Sequence, residues 1–356
     1  MSVIGNVDKN FIIKSTLGKE DVRWLSSNDE AFSIYGLMQD ENGYKRMDTE
    51  LAMSISPHFN MLSRMTSGGR IVFETNSPYI AINVKAELMP MSHMTYLGTF
   101  GFDIYEDSGD GFKYLNSLCP PENCIEEKNG YECMYDFRTP SVRKLMINFP
   151  LYGFVNQLYI GVDENSYVKK LPNHYKDMKP MVFYGSSVTH GACATRPGNC
   201  YPHIVSRKTN IDFINLGFSG SANAQKEIAE YIANIPMSAF IMEYDYNDCQ
   251  TPELVRQKHY PFYKIIRDKN PDLPIIVMSL PITSTEPWYE SRQCVIESYE
   301  KAKANGDNVY FVDGLTIFDG EFYDCATTDG CHPSDYGFVR MAKAVLKGLK
   351  ETGVIE

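Results

Sequence analysis

The stretch "VFYGSSVTHG", residues 182–191, decides how the second half of the chain is read. Val182, Phe183 and Tyr184 form a short apolar run, Gly185 ends it, Ser186 and Ser187 follow, and His190 lies three positions further on. A buried strand that breaks on a glycine and enters a helix has this pattern, and a serine at that junction is most often a helix cap. The same junction can hold a serine nucleophile at the end of a strand. Further short apolar runs, "DFINLG", "AFIMEY", "PIIVMSL" and "VYFVDG", alternate with helical segments. One segment carries Ile228, Ile232 and Ile235 along one face, and the last carries Phe338, Met341, Val345 and Leu349 behind a cap at Ser334. Strand and helix alternating at this spacing predict a parallel sheet covered by helices on both faces.

Residues 70–162 have a different texture. In "YIAINVKA", Ile80, Ile82, Val84 and Ala86 alternate with Ala81, Asn83 and Lys85; in "KLMINFPLY", Leu145, Ile147, Phe149 and Leu151 share a face, and "QLYIGV" repeats the pattern with Leu158, Ile160 and Val162. Turn-rich pieces, "EDSGDGF" and "EKNGYE", separate such runs and predict antiparallel hairpins in a β-sandwich. The polar, proline-bearing stretch 163–180 reads as a linker. The expected division is residues 1–175, a β-sandwich of jelly-roll-like type, and residues 176–356, an α/β domain. A chain of 356 residues exceeds the usual single core, so two domains are also what its length favours.

Composition excludes several classes of function. A net charge of −11 with no basic run repels phosphate backbones and anionic membranes, so neither nucleic acid nor membrane is expected as a partner. The N-terminal "MSVIGNVDKN" has no basic segment followed by an apolar core, and no run reaches the ~18 apolar residues of a membrane span. The expected location is cytoplasmic. Nine cysteines without regular spacing fit reduced thiols. His190, Cys193, Cys200 and His203 have spacings that zinc ligands use, but a closed metal site there would obstruct the cleft beside Ser187, and thiols and imidazoles packed in a turn are the favoured reading. No metal and no cofactor is expected.

In a sheet of this kind ligands collect beyond the carboxyl ends of the strands. The unusual residues stand there: "GSS" after the first strand, "GFSGSAN" after the second, "DYNDC" after the third and "TTDGCHPSD" after the fifth. They supply a serine, a small-residue turn, an asparagine amide and an Asp-x-x-His pair, which together meet the needs of acyl transfer through a serine ester. Each has a plainer alternative: a cap for Ser187, a turn glycine for Gly220, a loop amide for Asn247, a turn acid for Asp329 and a helix-start imidazole for His332.

These blocks resemble, in order, those of the SGNH or GDSL hydrolases: "YGSSVTHG" the serine block, "NLGFSGSAN" the glycine block, "YDYND" the asparagine block and "DGCHPS" the Asp-x-x-His block. The likeness covers about residues 180–352. "GFDIY" at 101–105 is similar to the Gly-x-Asp-Leu-Tyr signature of the β-sandwich that precedes a subgroup of these enzymes. The resemblance implies a flavodoxin-like α/β domain after the sandwich, with Ser187 as nucleophile, His332 as base and Asp329 as its orienting acid. It places the oxyanion donors at Ser187, Gly220 and Asn247. The usual Gly-Asp-Ser falls on Gly185, Ser186 and Ser187, so Ser186 replaces the aspartate, and "YDYND" lacks the glycine of the third block. For the neighbours Asp245 and Asp248 a solvated loop acid is the favoured reading and a substrate contact the alternative.

The expected activity is that of a serine esterase acting on short acyl esters, acetyl above all, of carbohydrates. The partner would be a small-molecule or oligosaccharide ester, and a homo-oligomer is compatible with the sequence. An acyltransferase with the same triad and a non-catalytic carbohydrate-binding protein are the rivals. Substrate contacts are expected from His190, Arg196, Asp245 and Tyr246, with Tyr201 and Tyr244 as further aromatic surfaces.

Overall fold

The computed structural model of the chain describes residues 17–121, 130–172, 174–248, 250–281, 288–320 and 322–356. They form two compact units. One takes the chain up to Lys45, Arg64–His174 and Arg196–Gly198; the other takes Arg46–Ser63, Tyr175–Thr195 and Asn199–Glu356. The long boundary falls beside residue 175, but two short segments belong with the opposite half from the one their position suggests.

Among its described residues the first unit holds twelve strands: β1 (Val22–Ser26), β2 (Ser33–Tyr35), β3 (Met38–Asp40), β4 (Gly43–Lys45), β5 (Arg70–Thr75), β6 (Tyr79–Glu87), β7 (Phe102–Asp107), β8 (Phe112–Leu118), β9 (Tyr131–Asp136), β10 (Arg143–Asn148), β11 (Phe154–Asp163) and β12 (Val168–Lys170). One sheet runs β1-β11-β6-β9 and the other β12-β5-β10-β7-β8, with β2 also on β5; β3 and β4 form a hairpin. Pairing is antiparallel throughout. The alternating residues do what their period requires. Ile80, Ile82, Val84, Leu145, Ile147, Leu158, Ile160 and Val162 meet Ile71, Phe73 and Phe149 in one buried cluster between the sheets. Tyr79 and Ala81, on the other face of β6, join Val22 and Trp24 in a smaller one.

Two expectations change here. Part of the 163–180 stretch is not a linker, because β12 pairs with β5 and Lys169 meets Glu74 at 2.8 Å; Asn173 lies outside the described residues. "EDSGDGF" is the β7–β8 hairpin turn, closed by Asp107 Oδ1 accepting from Gly109 N and Gly111 N. Half of "EKNGYE", residues 127–129, lies outside the described residues, and the strands on either side of it, β8 and β9, belong to different sheets, so it does not join two strands of one hairpin.

The second unit contains β13 (Met181–Gly185), β14 (Phe213–Gly217), β15 (Ala239–Glu243), β16 (Ile275–Met278) and β17 (Val309–Val312). All pairs are parallel, in the order β14-β13-β15-β16-β17. Central strands β13, β15 and β16 are buried at every residue, as a sheet sandwiched between helices demands. The order reverses at β13 and β15, so the loops after these two strands flank the expected ligand crevice. Ser334 caps the closing helix Asp335–Glu351, accepting from Gly337 N, and Phe338, Met341, Val345 and Leu349 are buried. Ile228 and Ile232 are buried in the helix Lys226–Ala233, whereas Ile235 lies beyond its end. Among the described residues no helix is long and apolar enough to cross a membrane.

Candidate active site

β13 ends at Gly185 and the chain turns at once into the short helix Ser187–His190. Ser186 caps this helix, its Oγ accepting from Val188 N at 3.1 Å. Ser187 is therefore the first helical residue, its amide has no acceptor within the helix, and its side chain is not needed as the cap. Ser187 Oγ lies 2.9 Å from His332 Nε2, and His332 Nδ1 lies 2.8 Å from Asp329 Oδ2. With the acid accepting at Nδ1, that nitrogen carries the hydrogen and Nε2 offers its lone pair to the serine.

Local structure fixes the pair. Asp329 Oδ1 accepts from His332 N at 2.7 Å and Cys331 N at 3.0 Å, so the carboxylate folds the D-G-C-H turn around itself. Thr328 N donates to His332 O at 2.8 Å and a bridge joins Thr327 to Pro333. Burial disfavours a charged His332 ring, but the Cys331 sulfur and the Asp329 carboxylate outweigh it and hold the ring up at about 9. Burial likewise works against the charge on Asp329, and the hydrogen bonds from His332 keep it below the ordinary carboxyl range. Tyr246 stacks over His332, with ring centroids 6.4 Å apart, and its hydroxyl donates to Cys331 Sγ.

Gly220 has φ +65° and open space where a side chain would point, a left-handed conformation that glycine adopts without strain. Asn247 Nδ2 donates to Ala222 O at 2.9 Å and more loosely to Phe218 O at 3.3 Å, tying the turn that carries Gly220. Asp248 is buried rather than solvated, accepting from Asn223 Nδ2 at 2.9 Å and pairing with Lys258 at 3.3 Å.

Of the four residues expected to touch substrate, only Tyr246 is brought beside His332. His190 is buried and its Nδ1 lies 3.1 Å from Ser219 Oγ. Asp245 is buried too and accepts from Leu280 N at 3.0 Å. Arg196 is taken by the "GFDIY" segment: its Nη1 donates to Asp103 at 2.9 Å and to the Tyr105 hydroxyl, while Asp103 also accepts from Gly198 N at 2.9 Å and Asn148 Nδ2 at 2.7 Å. Tyr201 and Tyr244 are core residues. The residues with zinc-like spacing do not converge, since His203 Nδ1 lies against Cys200 Sγ at 2.9 Å while His190 faces Ser219.

Two contributors escaped the sequence reading. Arg46 comes from the segment before residue 175, yet it is buried in this unit: Nη1 donates to Gly217 O at 2.6 Å and Asn215 O at 3.1 Å, Nη2 donates to Leu62 O at 2.6 Å, and its guanidinium lies over Phe218. It fixes the strand end from which the Gly220 turn departs. The other is Glu243, whose carboxyl fills the space beside Gly185. A Cβ on Gly185 would stand 2.1 Å from Glu243 O and 2.8 Å from its Oε2. Gly185→Ala is therefore expected to cost about 3 kcal/mol of stability, read from the urea midpoint, because backbone rather than a flexible side-chain tip must move.

Comparison with known proteins follows the same division of the chain. Residues 178–350 match the GDSL-like lipase/acylhydrolase family. Residues 22–168 match the N-terminus of SGNH-hydrolase-type esterases. Among solved structures, a protein from Bacteroides ovatus described as a GDSL-like lipase is 27% identical, with a TM-score of 0.85 over 94% of this chain and 99% of its own. A salicylyl-acyltransferase from a tetracycline biosynthetic pathway shares the fold at 18% identity and TM-score 0.75, covering 94% of this chain and 99% of its own. A family two carbohydrate esterase from Clostridium thermocellum, in complex with cellohexaose, does so at 15% identity and TM-score 0.61, over 90% of this chain and 98% of its own. No protein of curated function matches the chain.

Proposed function

We propose that this chain, which belongs to the GDSL-like lipase/acylhydrolase family and is a carboxylic-ester hydrolase, removes short acyl groups, acetyl above all, from carbohydrate hydroxyls through an acyl-Ser187 intermediate. The observation that carries the reading is the continuous path from Ser187 Oγ through the His332 ring to Asp329, with steps of 2.9 and 2.8 Å.

In this scheme His332 Nε2 takes the Ser187 hydroxyl proton as Oγ bonds to the ester carbon. The carbonyl oxygen becomes an oxyanion facing the Ser187 and Gly220 amides, and Asn247 contributes the amide hydrogen it holds loosely against Phe218 O. Asp329 keeps the ring oriented and stabilises the imidazolium. That imidazolium then protonates the departing alcohol oxygen as the carbon–oxygen bond breaks, leaving acyl-Ser187. Water repeats the sequence: it gives a proton to His332, attacks the acyl carbon, and the acid leaves as Ser187 regains its proton.

The short-acyl preference is supported by the sequence after the serine, "THGACATRPGNCY", which carries no long apolar run, and by the carbohydrate esterases that share the fold. With Arg196, His190, Asp245, Tyr201 and Tyr244 committed elsewhere, Tyr246 is the residue left to face a sugar ring. The test measures kcat/KM on acetyl, butyryl, octanoyl and palmitoyl esters of one alcohol, then on acetylated xylose and glucose. Acetyl esters are expected to lead. Octanoyl esters ahead by tenfold, about 1.4 kcal/mol of transition-state preference, would replace this reading with a lipase-like one. The likeness to the salicylyl-acyltransferase adds one arm, product analysis with an alcohol acceptor present: ester product in excess of free acid would assign acyl transfer instead.

A further inference from the structure

Glu243 takes no part in that reaction scheme, yet its carboxyl reaches both ends of the nucleophile turn. It closes β15 opposite Gly185 and is wholly buried. Its Oε1 accepts from Ser186 Oγ at 2.9 Å; its Oε2 accepts from Thr189 Oγ1 at 2.8 Å and, weakly, from Ser186 N at 3.4 Å. Its backbone carbonyl accepts from Ser186 N at 3.0 Å. Both hydroxyls are held from behind as well. Val188 N donates to Ser186 Oγ, and because Thr189 spends its hydrogen on Glu243, the Tyr201 hydroxyl 2.8 Å away must donate to Thr189. Two directed chains, from Val188 and from Tyr201, thus end on one carboxyl, and Ser187 sits between their points of attachment.

We infer that Glu243 is the positioning residue of this site: from the neighbouring strand it supplies the carboxyl that Ser186 lacks, and it fixes the 186–189 turn so that Ser187 Oγ meets His332. The inference rests on Ser187 being the nucleophile. A close fit supports it, since Gly185 is the residue whose absent side chain leaves room for this carboxyl.

Burial works against the charge on this carboxyl. Burial, then the nearby Asp245, push Glu243 up to about 8 against the hydrogen bonds that favour its charge; burial lifts Asp245 to about 7. The other titratable groups facing it are Tyr184 on β13 and Tyr201 on the helix Tyr201–Thr209, both driven upward by burial. A carboxyl raised in this way keeps a proton that the unfolded chain has released. Its stabilising contribution is complete below the ordinary value of 4.5 and is lost as pH rises toward about 8.

The experiment compares wild type, Glu243→Ala and Glu243→Gln in the full chain. Wild type is first treated with a fluorophosphonate; failure to label Ser187 would sink the nucleophile assignment, and this inference with it. Given that label, Glu243→Ala is expected to lose about 100-fold in both kcat and labelling rate while KM stays within about threefold, the pattern of a displaced nucleophile. Glu243→Gln, neutral and of the same shape, should recover most of that loss at pH 7, and its Tm should fall less steeply than that of wild type between pH 5 and 8. A folded Glu243→Ala with wild-type kcat would overturn the proposal, as would a glutamine variant no better than alanine. If the alanine variant does not fold, the glutamine variant decides: a Tm profile parallel to that of wild type counts against Glu243.

Discussion

Ser187→Ala abolishes ester turnover, with an expected loss of about five to six orders of magnitude, and it removes covalent labelling by a fluorophosphonate. The size of the effect follows from position. Ser187 Oγ is the hydroxyl 2.9 Å from His332 Nε2, whereas the adjacent Ser186 Oγ is turned onto Glu243 and caps the helix. Ser186→Ala should therefore keep the label and lose only about tenfold in kcat, through a looser turn. Fragmentation of the labelled peptide separates the two serines. Label on Ser186 would contradict the geometry outright.

The second large effect belongs to the Asp-x-x-His turn. His332→Ala is expected to cost about five orders of magnitude in kcat, since it removes the base of the proposed scheme. Asp329→Asn should cost about 10³- to 10⁴-fold, because an amide can hold the backbone of the turn but offers His332 Nδ1 the wrong partner and favours the wrong tautomer. The pH dependence follows from the shift on His332. In the proposed scheme its neutral form is the base, and Cys331 and Asp329 hold its titration up at about 9. Thus kcat/KM should rise about tenfold per pH unit through the neutral range, with a midpoint well above the ordinary histidine value of 6.5. Cys331→Ala, which removes the sulfur 4.0 Å from Nε2, should move that midpoint down. A midpoint at 6.5 in wild type, unmoved in the variant, would show that neither neighbour acts on the ring.

What the sequence made legible was what its periodicities and block order encode. Apolar runs of strand length alternating with helices led to the parallel sheet, and period-two alternation in β6, β10 and β11 led to the sandwich core. Ser187, His332 and Asp329, which the structure brings within hydrogen-bond distance one after the next, each stand just past a strand or just before a helix cap, where block order could place them. The substrate contacts were harder to read, because a polar residue near a motif gives no sign of which way it points. Arg196 is absorbed by Asp103 and Tyr105, and Asp245 and His190 by burial. Glu243 is silent in the sequence for the converse reason. A single glutamate at a strand end usually faces water, and nothing local announces that Ser186 and Thr189 will surround it.

The segment Arg46–Ser63 bears on how such a protein can be inherited in parts. Its codons lie ahead of most of the sandwich, while its product completes the hydrolase unit, where Arg46 secures the end of β14. Recombination near codon 175 would transmit the whole parallel sheet and all four sequence blocks, yet leave behind Arg46 and the hydrogen bonds it donates to the carbonyls of Asn215 and Gly217. The two units are each compact, but a single cut at codon 175 does not separate them.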